Sequence, residues 1–157
     1  MPICKHYNDD CIKFSDNYDG QVDSVVTDPP YGIEYLGNDW DSYQNCIAFK
    51  KSTWESISKP LKPGGYLVIF GASKTFHRLT CAVEDSGLKI KDVLMWLYGQ
   101  GMPKSQNIGK KDSNYEGWGT GLKPCYEPIL LAQKPISEKT IVKNFQKHGV
   151  GGINIEE

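Results

Sequence analysis

Asp28, Pro29, Pro30 and Tyr31 follow directly on a β-branched run that begins at Val22, and Gly32 stands behind them. Each proline holds its own φ at about −65° and pushes the residue before it into the extended region, so Asp28 and Pro29 keep little freedom. Neither proline has an N–H. The segment therefore offers two acceptors in a rigid frame, the Asp28 carboxylate and the Pro29 carbonyl, followed by the aromatic face of Tyr31. Two acceptors and a stacking ring suit a flat group that carries an NH2.

TDPPYG at residues 27–32 resembles the catalytic motif of the amino-methyltransferases, which methylate exocyclic nitrogens of adenine or cytosine in DNA with S-adenosylmethionine. The Asp-first form is similar to the N6-adenine branch. The resemblance implies that Asp28, Pro29, Pro30 and Tyr31 are catalytic. The amine of adenine is a poor nucleophile because its lone pair is delocalised into the ring. Acceptors at Asp28 and Pro29 on its N–H bonds would localise that pair on nitrogen, and what remains is alignment with the donor methyl. The base would have to be flipped from the stack, with Tyr31 stacking on it. Without the resemblance, the same residues read as a strand entering a rigid turn with a packed tyrosine.

The elements that would position this turn are legible as periodicities. Residues 3–14 read as a short strand ending at Asp9-Asp10-Cys11. The related enzymes often open with a strand ending in Gly-Asp-Cys near the cofactor. That places Asp10 and Cys11, with Asp28, as cofactor-binding residues; Asp9 stands where the family has glycine. Val22–Thr27 is the next strand, and strand carboxyl ends are where doubly wound sheets put their chemistry. Residues 35–41 form a polar loop in which Trp40 either stacks or anchors the helix after it. Ser42 to Lys59 reads as that helix, with Ile47, Trp54, Ile57 and Leu61 as its apolar stripe. Pro63-Gly64-Gly65 is a turn, Tyr66 to Phe70 a strand, and Ser73 a candidate N-cap for a helix carrying Phe76, Leu79 and Val83 and stopped at Gly87.

Lys89 to Tyr98 reads as a third strand, too apolar to be exposed on both faces. Residues 99–124 make a long Gly-rich connection, and long loops in compact domains are commonly functional. Its segments Met102–Ser105 and Trp118–Thr120 resemble phage-type DNA methylases, and Lys104, Ser105, Lys110 and Lys111 are candidate DNA contacts. KPCYEPILLAQKP, from Lys123, is a further match to those enzymes and contains the last strand, with Pro128 favouring its start or an edge. From Ser137 a helix runs to His148 and stops at Gly149, with Lys139, Lys143 and Lys147 on one side and Ile141, Val142 and Phe145 on the other. The fold expected is a single α/β domain, a partial, methyltransferase-like (Rossmann-like) doubly wound sheet in three αβα layers.

At 157 residues the chain fits one domain, and its net charge of −1 gives no global attraction to a polyanion. Arg78 is its only arginine, which argues against bidentate reading of guanine edges within this stretch. The five cysteines are odd in number and lack a C-x-x-C, so reduced thiols are expected. Cys4, His6 and Cys11 group together without a fourth ligand, and no metal site is assigned. No run approaches the ~18 apolar residues of a membrane span, and the first residues lack a signal-peptide core. A cytoplasmic protein is expected, by the resemblance one of a bacterial or phage-infected cell.

The related enzymes also carry a target-recognition region and a Phe-x-Gly-x-Gly cofactor loop, and no such loop occurs in this sequence. The central cofactor-binding strands would be missing with it, leaving the first strand separated by a gap. The expectation is a catalytic half that needs a second chain or segment and is inactive alone. The alternative is a non-catalytic nucleic-acid-binding or partner subunit with a methyltransferase-like sheet.

Overall fold

The computed structural model describes residues 4–101 and 105–156. Its centre is one open four-stranded mixed sheet of β1 (Val22–Thr27), β2 (Leu61–Phe70), β3 (Lys89–Leu97) and β4 (Tyr126–Gln133) in the order β1-β2-β4-β3. β1 runs parallel to β2, with Thr27 opposite Ile69, while β4 is antiparallel to both its neighbours. Four helices join these strands: α1 (Cys11–Asn17), α2 (Lys51–Ile57), α3 (Phe76–Asp85) and α4 (Ile141–His148).

Side chains directly opposite in a sheet share a face, so Leu67 and Ile69 of β2 lie on the same side as Ala132 and Leu130 of β4. All four are fully buried beneath Trp54 of α2 and Leu79 and Val83 of α3. Each of Leu67, Ile69 and Leu130 contributes about 2 kcal/mol by that burial. The opposite face carries Val26, Val68, Phe70, Leu131, Leu94 and Trp96, and it is largely bare: Val26 is 68% and Trp96 54% exposed. α4 packs only near the start of β2, through its buried Asn144.

Several expectations are corrected. Among the described residues no strand forms before Cys11; the segment instead starts α1, because the Asp10 carboxylate accepts the Ile12 and Lys13 amides at 3.0 Å each and caps it. There is accordingly no first strand to be set apart by a gap. The helix expected over Ser42 to Lys59 is replaced by a 3-10 turn at Ile47–Phe49 and the short α2, and a further 3-10 turn at Asp39–Asp41 precedes it in the loop. Asp41 and Cys46 are drawn toward the turn after β1 instead of continuing a helix. The Pro63-Gly64-Gly65 turn is a bulge within a longer β2, where the register against β1 jumps between Leu61 and Tyr66.

The N-cap of α3 is Thr75, not Ser73, and its hydroxyl is turned elsewhere. β3 is exposed on both faces over most of its length, contrary to its composition, because it is an edge strand that joins the core only near its start, at Ile90. Pro128 lies inside an interior strand, yet the β2 ladder begins only at Ile129; Gly71 donates to the Pro128 carbonyl just beyond it. The missing N–H thus falls outside the ladder. α4 begins at Ile141 behind a Thr140 cap, and it buries Asn144 while Ile141, Val142 and Phe145 stay exposed. Gly149, at φ 73°, ends it as expected.

Candidate active site

The carboxyl ends of β1, β2 and β3 meet the amino end of β4 at one rim of the sheet. Asp28 leaves β1 there, exposed, and Pro29, Pro30 and Tyr31 follow it half-buried. Side chains from three other segments hold the backbone of this turn. The Cys46 thiol donates to the Pro30 carbonyl at 3.2 Å, and burial pushes its pKa up, keeping it a donor. The Thr75 hydroxyl donates to the Tyr31 carbonyl at 2.6 Å. The Gly32 amide donates to the buried Asp41 carboxylate at 2.7 Å. Among the described residues nothing donates to the Pro29 carbonyl, which stays open beside Asp28.

Gly32 is required by its backbone and by its neighbours. Its φ is 66°, and a Cβ there would run into the Phe49 ring. Phe49 stacks at a tilt on Tyr43, 5.6 Å between centroids, and the Arg78 guanidinium lies 5.4 Å from the Tyr43 ring. The lone arginine is thus used to buttress the turn.

The Tyr31 phenol lies beside Asp28. Burial first, then the hydrogen-bonding pull and charge of that carboxylate, push its pKa above the ordinary 10.0, with Glu127 and Tyr98 adding to the rise. Tyr98 donates to Glu127 at 2.8 Å, and that bond raises its own pKa. Two carboxylates and two protonated phenols therefore share the rim, an arrangement rich in acceptors for an amine. Asp41, Cys46, Thr75, Tyr98 and Glu127 were not singled out as site residues by sequence reasoning. Glu127 lies within the matched KPCYEPILLAQKP segment, which was its only signal.

The remaining expected site residues are placed less tightly. Asp10 and Cys11 are exposed at the start of α1, and no hydrogen bond or ion pair links them to Asp28. A groove of about 360 Å³, lined by Asp9, Phe14, Tyr18 and Gly20 among others, lies beside the amino end of β1, away from Asp28. Lys110 and Lys111 are exposed and Ser105 half-buried in the long connection, which folds back on itself through an Asn107–Gly119 bridge. Lys104 lies outside the described residues. Among the described residues no cluster of His, Cys, Asp or Glu is arranged to hold a metal, and no helix is long and apolar enough to cross a membrane.

A family model described as DNA methylase matches residues 22–150. The chain is 26% identical to the type II methyltransferase M.HindIII of Haemophilus influenzae over 202 aligned residues, covering 92% of this chain and 65% of that one. It is 30% identical to the type II methyltransferase M.HpaI of Haemophilus parainfluenzae over 123 residues, covering 74% of this chain and 34% of that one. The crystal structure of the M1.HpyAVI–SAM complex superposes with a TM-score of 0.53 at 22% identity, over 85% of this chain and 54% of that chain. The chain thus spans from about a third to about two thirds of the length of these proteins.

Proposed function

The chain belongs to the DNA methylase family, and from that premise we propose that it is the catalytic part of an S-adenosylmethionine-dependent enzyme that methylates the exocyclic amine of a flipped base in DNA, N6 of adenine. The observation that carries the reading is the clamped turn with an exposed Asp28 and an open Pro29 carbonyl at the strand rim. Those two acceptors take the two N–H bonds of the amine and return its lone pair to nitrogen. Tyr31 stacks on the base, and Pro30 keeps the two acceptors rigid. Glu127 and Tyr98 keep the surrounding rim polar. Lys110, Lys111 and Ser105, with Lys104, meet phosphates.

S-adenosylmethionine supplies the methyl group when bound. Asp28 offers one wall for it, while the Asp10 carboxylate is engaged in capping α1 and makes no hydrogen bond to the Asp28 turn. Asp10 and Cys11 are assigned to the cofactor in the assembled enzyme, where a further segment, in cis or as a second chain, supplies the cofactor loop and target recognition. The cytoplasm, where DNA and cofactor are both available, is the compartment this reading assigns.

The test is transfer of labelled methyl from S-adenosylmethionine to DNA by the assembled enzyme. Asp28→Ala is expected to reduce turnover by at least about 1,000-fold, since it removes a group acting directly on the reacting nitrogen, with folding unchanged because Asp28 is exposed. Undiminished turnover by this variant would favour the non-catalytic partner subunit instead. Label on cytosine alone would reject the adenine assignment.

A further inference from the structure

The four successive backbone amides behind the catalytic quartet all donate to one residue. Gly32 reaches Asp41 Oδ1 at 2.7 Å, Ile33 and Tyr35 reach Oδ2 at 3.3 and 2.9 Å, and Glu34 reaches the Asp41 backbone carbonyl at 2.9 Å. Asp41 is 2% exposed, so this carboxylate is neutralised by main-chain donors in place of water. The segment it gathers is conformationally unusual. Glu34 and Leu36 adopt left-handed φ values of 57° and 54°, which non-glycine residues hold only when their surroundings fix them.

We propose that Asp41 is a positioning residue for methyl transfer: it pins the loop through Gly32, and thereby sets where Tyr31 and Asp28 stand at the rim. This rests on the methyl-transfer reading above. Both carboxylate oxygens are used, so an amide cannot replace it. An asparagine in its place would present an NH2 to at least one of the amides that now donate, and the turn would reorganise.

The experiment compares Asp41→Asn with Val83→Ala, a core truncation remote from the turn, in the assembled enzyme at a temperature where both stay folded. Asp41→Asn is expected to lower kcat by about 10- to 100-fold, the cost of an ångström-scale misplacement, with KM for DNA and for S-adenosylmethionine little changed. Val83→Ala is expected to lower thermal stability and leave kcat near that of the parent. A parental kcat for Asp41→Asn, or an equal loss in Val83→Ala, overturns the proposal. Asp28→Ala is assayed alongside; if it retains turnover the methyl-transfer reading has failed, and the clamp is then judged by amide hydrogen exchange in this chain. There, Asp41→Asn is expected to speed exchange at Gly32 and Tyr35 by more than about tenfold beyond any change at Leu130, the mark of a local opening. Unchanged protection at Gly32 and Tyr35 overturns the clamp itself.

Discussion

Tyr31 is held by its carbonyl at Thr75 and faces Asp28 with its phenol. Its pKa in the folded chain lies above the ordinary 10.0, because burial and the neighbouring carboxylate both disfavour the phenolate. The protonated form is therefore the one the fold favours. Its contribution is complete below pH 10 and is lost as the pH rises beyond that value, where the unfolded chain releases the proton and the folded chain does not. Tyr98 is displaced in the same direction by Glu127. Urea midpoints measured from pH 9 to 12 should fall, and Tyr31→Phe should flatten the fall by on the order of 1 kcal/mol, after discounting for the solvent that reaches the ring. An identical slope in the two proteins would show that the phenol is free of Asp28. The proposed quartet could be singled out in the sequence because its two acceptors and its ring are adjacent residues. Its clamp could not: Asp41, Cys46 and Thr75 come from segments with no shared periodicity, and a buried aspartate reads locally as another polar loop residue.

At the level of elements, sequence periodicity located β1, β2, β3, β4, α3 and α4 and the inward Leu79 and Val83 of α3, but misjudged what faces inward on β3 and α4. α4 shows the reason. Its apolar residues suggest that Ile141, Val142 and Phe145 seat the helix, whereas Asn144 does so, wholly buried. Its amide donates to the Pro63 carbonyl at 2.8 Å and the Val150 carbonyl at 3.1 Å, and its oxygen accepts from the Ser137 amide at 3.1 Å. One side chain thus ties the bulge of β2 to both ends of α4. A polar residue is rarely the one that enters a core, and it enters here because every hydrogen-bonding position it has in use is matched by backbone. The same contact explains Gly64, at φ 84°, where a Cβ would strike the Asn144 amide at 2.5 Å. Asn144→Ala should cost about 3 kcal/mol, the sum of lost bonds and stranded carbonyls. Limited proteolysis should then release the segment after Lys134 first. A stability loss below about 0.5 kcal/mol would place α4 outside the cooperative unit.

At the scale of the molecule, the helices cover one face of the sheet and leave most of the other to solvent. Val26, Leu94 and Trp96 stand on that second face, the β1 edge has no described strand beside it, and Val142 and Phe145 add apolar surface on α4. Apolar surface and an open strand edge of this kind are what a chain covers with a partner or a further segment. The solved chain it superposes on is matched over 54% of its length. Asp28 stands on the open edge, so whatever pairs with β1 also completes the wall beside the candidate site. Alone, this polypeptide should bind S-adenosylmethionine weakly or not at all and should transfer no methyl group to DNA. Supplying a segment that carries the cofactor loop and target-recognition region, in cis or as a second chain, should restore both together and should bury Trp96, shifting its fluorescence to the blue relative to a Trp96→Phe control. Calorimetric titration and labelled-methyl transfer on the isolated and completed proteins decide it. Micromolar cofactor binding with turnover by the isolated chain would mean that the exposed face and edge belong to a finished enzyme, and the assignment of a missing half would fall.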